Sequence, residues 1–129
     1  MTAAEQRRSP RVEGVTFPVE YSTEAHAQTI KRARAVSIGE AGFMILLEES
    51  YPMGTPLYLK LYLPKTFFPF SNWQAIRLET QIVRVDSQVG QDGYFRHGLL
   101  ITQIPEEEGI ALKRYVQLAH WIKDRVNPL

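Results

Sequence analysis

The chain of 129 residues is long enough for one domain with a sizeable hydrophobic core. Its hydrophobic fraction of 44% and charged fraction of 22% are those of an ordinary globular protein, and a net charge of +1 gives no global attraction to nucleic acid or membranes. The absence of cysteine excludes disulfides, thiol nucleophiles and cysteine-based metal sites. No apolar run reaches the length of a membrane span and no signal-peptide pattern is found, so we expect a cytoplasmic protein without membrane insertion.

An arginine-rich segment precedes the first strand-like pattern. Arg7, Arg8 and Arg11 lie within five residues of one another, and Pro10 disfavours a helical conformation at the preceding residue. We therefore predict a flexible arm over residues 1–12. Guanidinium groups bind phosphates and the O6/N7 edge of guanine and stack on flat rings, so an arm of this kind can clamp a nucleotide. On the arginines alone, a solvated basic tail is the alternative interpretation.

Several segments after the arm alternate apolar with polar residues, which predicts strands with one buried face. Pro18 in the first of them indicates an edge position or a bulge, because proline lacks a backbone donor. The apolar phase changes near Ile82 and Val83, which indicates a bulge in the fifth segment. The predicted strands cover about residues 15–21, 29–38, 43–47, 57–63, 73–85 and 94–103.

The C-terminal segment changes to a helical period. Pro105 followed by Glu106–Glu108 is typical of a helix start, and apolar residues then recur at steps of three and four. We predict one amphipathic helix over about residues 105–126. Short strands separated by turn signals and followed by one helix predict a mainly β fold, an antiparallel barrel with a C-terminal helix, over residues 13–129.

The sequence carries no pattern typical of an enzyme. The histidines His26, His97 and His120 are scattered and none has a metal-ligand spacing. A nucleophile elbow, a Walker loop and a paired-carboxylate motif are all absent from the sequence. We interpret His97, which falls on a predicted strand, as a packed histidine, and we expect no catalytic residue, no metal and no cofactor.

Two further segments bear on the kind of partner. Lys31, Arg32 and Arg34 form a basic run, but on a strand they divide between two faces, so a nucleic-acid partner is not expected. Phe67–Phe70 brings three phenylalanines into a predicted loop. That loop either docks a partner protein or folds back over the open end of the barrel.

The segment Ser37–Gly42 joins the predicted second and third strands. Gly42 indicates either a positive φ or a close approach of backbone, both of which glycine permits. By itself the segment is compatible with a plain hairpin turn. In an antiparallel barrel, however, this junction and the N-terminal arm can face each other across one ligand.

With these segments the chain resembles the PilZ domain family. Arg7 and Arg11 fit the family's RxxxR motif with Arg8 between them, Ser37–Gly42 occupies the place of its (D/N)xSxxG motif, and Tyr94–Ile101 is similar to its final strand. The resemblance extends over about residues 6–126. It implies a six-stranded antiparallel barrel with a C-terminal helix and, as in many members, binding of the bacterial second messenger cyclic di-GMP.

The second motif departs from the family's pattern. In the gap-free alignment Ser37 stands at the Asp/Asn position, Gly39 stands at the Ser position, and only Gly42 matches. Keeping Ser37 as the motif serine instead places Ala35 at the acidic position and requires an insertion of two residues. In either alignment the carboxylate or amide that contacts a guanine base is missing.

The resemblance implies a non-enzymatic receptor or adaptor that binds cyclic di-GMP and switches a protein partner. The arginines would grip phosphates and guanine edges, and the Ser37 hydroxyl would replace one lost base contact. The alternative is a degenerate PilZ-like interaction module that does not bind cyclic di-GMP. The implied ligand-binding residues are Arg7, Arg8, Arg11, Ser37, Gly39 and Gly42.

Overall fold

A computed structural model describes residues 11–25, 29–65, 72–86, 89–90 and 92–126 of the chain. Residues 1–10, with most of the predicted arm, and the predicted phenylalanine loop at 67–70 lie outside the described residues. The elements are β1 (Arg11–Ser22), β2 (Lys31–Gly39), β3 (Gly42–Leu47), β4 (Pro56–Pro64), β5 (Trp73–Val85), β6 (Phe95–Gln103) and α1 (Glu106–Val126).

The six strands form a closed barrel in the order β1-β2-β3-β6-β5-β4, and every pair of neighbours is antiparallel. The prediction of a mainly β fold, a six-stranded antiparallel barrel followed by one C-terminal helix, is confirmed. Alternation along β4 illustrates why these residues close a barrel, since Leu57, Leu59, Leu61 and Leu63 all point into the core.

Strand β1 begins earlier than its apolar alternation predicts. Its first residues pair with β2 up to Glu13, and the register then shifts before pairing resumes at Phe17. The shift interrupts the period of two, which is why the sequence pattern becomes recognisable only after it. Pro18 follows this irregularity directly, in agreement with the predicted bulge, and pairing with β4 starts one residue later at Val19.

Other irregularities fall where the sequence indicates them. The register between β5 and β6 shifts between Ile82 and Arg84, which confirms the predicted bulge. Gly54 and Gly93 adopt positive φ values of 88° and 84° in the connections that precede β4 and β6. Such a backbone conformation is open to glycine and costs free energy for most other residues.

Helix α1 completes the core of the barrel. Leu112, Tyr115 and Val116 are buried, and the Tyr115 ring meets Phe17 of β1 edge-on with ring centroids 5.8 Å apart. At the start of the helix, the Glu108 carboxylate accepts a hydrogen bond of 2.8 Å from the backbone N–H of Arg77 in β5. The helix is therefore fixed to the barrel by apolar packing and by one charge-assisted hydrogen bond.

Candidate functional site

Of the residues that the sequence assigns to ligand binding, Arg11, Ser37, Gly39 and Gly42 lie in the described part of the chain, and they are grouped near one end of β1. In the antiparallel ladder between β1 and β2, Arg11 lies opposite Gly39 and Val12 lies opposite Ile38. Opposed residues in such a ladder have Cα atoms within about 4.5–5.5 Å. The backbone at the base of the arginine arm is thus in direct contact with the segment 37–42, and we name Arg11 together with residues 37–42 the junction.

Ser37 contributes little surface to the junction. Its side chain is 6% exposed, and it lies opposite Glu13 of β1 and Met44 of β3. The ladder between β2 and β3 shifts register between Ala35 and Ser37, which makes this a bulged position. Ser37 has an interaction partner of its own within the protein. Its side chain is therefore largely buried rather than presented to solvent.

Of the two expectations for Gly42, a positive φ or a close approach of backbone, the structure shows the close approach. Gly42 is buried at the start of β3, opposite Leu100 of β6, and a Cβ atom added there would overlap the carbonyl oxygen of Leu99. Next to it, the backbone N–H of Ile101 donates a 2.9 Å hydrogen bond to the carbonyl of Ala41. Glycine at this position is what allows β3 and β6 to pair.

Gly39 is also buried, and it ends β2 rather than beginning a loop. Between it and Gly42 the chain turns through Glu40 and Ala41, of which Ala41 is exposed. The described part of the junction therefore offers a ligand mainly backbone groups on a rigid turn. Arg7 and Arg8, which carry the charge of the predicted site, lie outside the described residues.

A second group of polar side chains lies at the other end of β1, and we name it the Tyr51 cluster (Tyr21, Lys31, Glu49, Tyr51 and His97). His97 is 0% exposed, accepts a 3.0 Å hydrogen bond at Nε2 from the backbone N–H of Tyr51, and donates from Nδ1 to the Phe95 carbonyl at 3.1 Å. This pattern requires the neutral ring with its proton on Nδ1. Burial lowers the pKa of His97, although the Phe95 hydrogen bond opposes that shift.

The rest of the Tyr51 cluster links this histidine to the surface. The hydroxyls of Tyr21 and Tyr51 are 3.3 Å apart, and Lys31 reaches Glu49 at 3.2 Å and the Tyr51 hydroxyl at 3.4 Å. Burial raises the pKa of Tyr21, with the hydrogen bond to Tyr51 adding to it, so the phenol stays neutral. The interpretation of His97 as a packed residue agrees with this geometry.

Sequence reasoning did not find the Tyr51 cluster, because Tyr51 falls in a segment that reads as a turn and its partners are 20, 30 and 46 residues away. Among the described residues, no three His, Asp or Glu side chains are grouped closely enough to hold a metal ion. In the same part of the chain, no helix combines the length and the apolar character needed to cross a membrane.

Comparisons with known proteins identify the barrel. The family model described as PilZ domain matches residues 5–118. Among solved structures, the Bacillus subtilis inhibitor of motility MotI/DgrA aligns over 94% of this chain and 52% of its own, with a TM-score of 0.69 and 19% identity. The PilZ domain of Escherichia coli YcgR, solved with c-di-GMP, aligns over 96% of this chain and 99% of its own, with a TM-score of 0.61 and 12% identity.

A further similar structure is a Xanthomonas campestris protein described as a tetrameric PilZ domain self-assembled through a helical bundle. It aligns over 92% of each chain with a TM-score of 0.65 and 11% identity. At these identities the structural likeness shows the fold alone, and the chain spans about half the length of the B. subtilis protein. A search of curated proteins by sequence found no match. The family model covers most of the chain, and the observed barrel is the fold of that family. The chain therefore belongs to the PilZ domain family.

Proposed function

We propose that this protein is a non-enzymatic receptor for cyclic di-GMP, in which the arginine arm closes over a nucleotide on the junction. The observation that carries the proposal is the pairing of Arg11 with Gly39, because it attaches the arm directly to the turn that completes the site. Membership of the PilZ family supports it, as does the c-di-GMP in the solved YcgR domain.

In the proposed complex, Arg7 and Arg11 hold phosphates and guanine edges while Arg8 stacks on a base or pairs with a phosphate. Gly39 and Gly42 flank the turn through Glu40 and Ala41, where Ala41 is exposed, and a flat base would lie against that turn. Ser37 is the least available member of the set, since it is 6% exposed. A missing base contact of about 1–3 kcal/mol would weaken binding by roughly 10- to 100-fold without abolishing it.

Isothermal titration of the full chain with cyclic di-GMP tests the proposal. We expect saturable binding that disappears in Arg7→Ala and in Arg11→Ala, with no change in thermal stability without ligand in either variant. Arg96→Ala is the matched control, because Arg96 is an exposed arginine of β6 that lies four residues before Leu100, the residue opposite Gly42. The Arg96→Ala variant should bind cyclic di-GMP as the wild type does. Wild-type binding in both arm variants would contradict the assignment.

A second candidate function is favoured by the altered motif at Ser37–Gly42. In it the protein is a PilZ-like interaction module that no longer binds cyclic di-GMP and acts through protein contacts alone. No heat and no shift of melting temperature at high ligand concentration would support this function and reject the first. For either function, ordering of a segment on binding is the step that would present a new surface to a partner protein.

A further inference from the structure

Four charged side chains form one row across the outer face of the barrel. Glu20 of β1 lies opposite Arg32 of β2 on one side and opposite Lys60 of β4 on the other, and Lys60 lies opposite Arg77 of β5. Their strand neighbours Val19, Tyr21, Leu59 and Leu61 are buried, so the row points outward. With strands about 4.8 Å apart, the row is roughly 14 Å long.

Among the described residues, no ion pair involves the positive charges of this row. In the described part of the chain the ion pairs are Lys31–Glu49 and Arg84–Asp86, and neither involves the row. Lys60 and Arg77 are like charges placed directly opposite each other, an arrangement that destabilises a sheet. An external anion placed between Lys60 and Arg77 would relieve this repulsion.

The negative charge within the row is already engaged. The Glu20 carboxylate accepts a 3.0 Å hydrogen bond from the hydroxyl of Tyr62, and Lys60 lies over the Tyr62 ring at 5.4 Å. Two other carboxylates are near the row. Glu79 lies opposite Tyr58 in the adjacent row, and Glu108 accepts from the backbone N–H of Arg77. The guanidinium groups of Arg32 and Arg77 are left exposed to solvent.

The surface around the row is concave. A cavity of about 480 Å³ is lined by Lys60, Arg77 and Tyr58 among others, and a smaller one of about 290 Å³ is lined by Arg32 and Arg34. Glu20 lines both cavities, so they adjoin each other along the row, and we refer to the two together as one groove. Its charged lining consists of the basic side chains of Arg32, Arg34, Lys60 and Arg77 and the carboxylates of Glu20 and Glu79. A groove of this kind accepts an extended chain, whose side chains can meet several strands in turn.

We infer that this groove, which we name the basic groove, docks an extended acidic segment of a partner protein. Glu20 lies within the groove and disfavours a nucleic acid or a lipid surface. Both carry regularly repeated phosphates, and one of these phosphates would face the Glu20 carboxylate. A peptide can place glutamates or aspartates against Lys60, Arg77 and Arg32 and a hydroxyl or amide donor against Glu20. This inference does not depend on nucleotide binding.

The experiment uses the full chain without nucleotide and measures fluorescence anisotropy of a labelled peptide of about four Glu-Glu-Ser repeats. We expect saturable binding that weakens as salt is raised, because the contacts are exposed ion pairs. The double variant Lys60→Gln/Arg77→Gln should weaken it roughly fivefold to tenfold. The double variant Lys113→Gln/Arg114→Gln is the matched control on the exposed side of α1 and should leave binding unchanged.

Thermal unfolding of the same variants separates docking from folding. Lys60→Gln/Arg77→Gln removes a repulsive pair and also the contacts of Lys60 with Glu20 and the Tyr62 ring, so its melting temperature should stay close to that of the wild type. A large decrease would mean that peptide binding is lost through unfolding and would overturn the inference. Equal loss of peptide binding in both double variants, or no saturable binding by the wild type, would also overturn it. If an oligothymidine of similar length or phosphatidylserine vesicles bound more tightly than the peptide, the inference of an acidic protein segment would be overturned in favour of a nucleic acid or a lipid surface.

Discussion

The two ends of β1 use polar groups in opposite ways. At the Tyr51 cluster, side chains from β1, β2 and the segment before β4 bond to one another, and both ring nitrogens of His97 in β6 bond to backbone groups. At the junction, the described contacts are backbone pairings around two buried glycines. The cluster is thus completed by the protein itself, whereas side chains contribute little to the described part of the junction, and the site proposed there depends on the arm to supply its charge. The comparison indicates that, in this protein, the dense network of polar side chains has a structural role rather than a ligand-binding one.

The largest effect is expected at the junction. Gly42→Ala would place a methyl group against the Leu99 carbonyl, and β3 and β6 would have to separate. We expect a loss of about 3 kcal/mol or more of unfolding free energy, measured by urea denaturation. Gly109→Ala is the matched control, since its new Cβ would make an ordinary contact of 3.6 Å with Ile104. The Gly109→Ala variant should gain up to about 1 kcal/mol of unfolding free energy. A Gly42→Ala protein as stable as the wild type would contradict the inference that Gly42 is needed for β3 and β6 to pack together.

A smaller effect is expected in the Tyr51 cluster. His97→Phe keeps a ring of similar shape but leaves the backbone N–H of Tyr51 without its acceptor. We expect a loss of about 1–3 kcal/mol in urea denaturation, the cost of one buried unpaired donor. Tyr51→Phe retains that N–H and the ring and should lose less. If cyclic di-GMP binding by folded His97→Phe fell as far as in Arg11→Ala, the two ends would not be independent.

The pH dependence of stability sharpens the same comparison. Burial lowers the pKa of His97 in the folded protein, so below pH about 6.5 the unfolded chain takes up a proton that the folded protein resists. Stability should therefore fall as the pH drops from about 7.5 to about 5.5. In His97→Phe this contribution should vanish, and urea midpoints at the two pH values give the test. Identical pH profiles for the two proteins would contradict the assignment to His97.

The smallest effect is expected at the outer edge of the Tyr51 cluster. Lys31 and Glu49 form an ion pair at 3.2 Å, but their side chains are 46% and 63% exposed. Exposed pairs of this kind often contribute nothing measurable. We expect the urea midpoint of Lys31→Gln to be indistinguishable from that of the wild type. A clear decrease would mean that this exposed pair helps to position Tyr51.

Much of this fold is predictable from local sequence. The leucines of β4, the phase change at Ile82 and the acidic start of α1 each depend on neighbouring residues, and each prediction is confirmed. What local patterns do not contain is register. The contact of Tyr51 with His97 and the row of Glu20, Lys60 and Arg77 arise only when strands far apart in sequence are aligned. The ligand-binding role of the six predicted residues stays a prediction, and two of them lie outside the described residues.

The pairing of Arg11 with Gly39 also sets a length. Four peptide units separate Arg7 from Arg11, and an extended chain spans at most about 3.6 Å per residue. The Cα atom of Arg7 is therefore tethered within roughly 14 Å of the Cα atom of Arg11, so its guanidinium searches a small volume around that point. A tether this short holds the group at a high effective concentration, and lengthening it with inserted glycines would dilute the arginine without altering its chemistry.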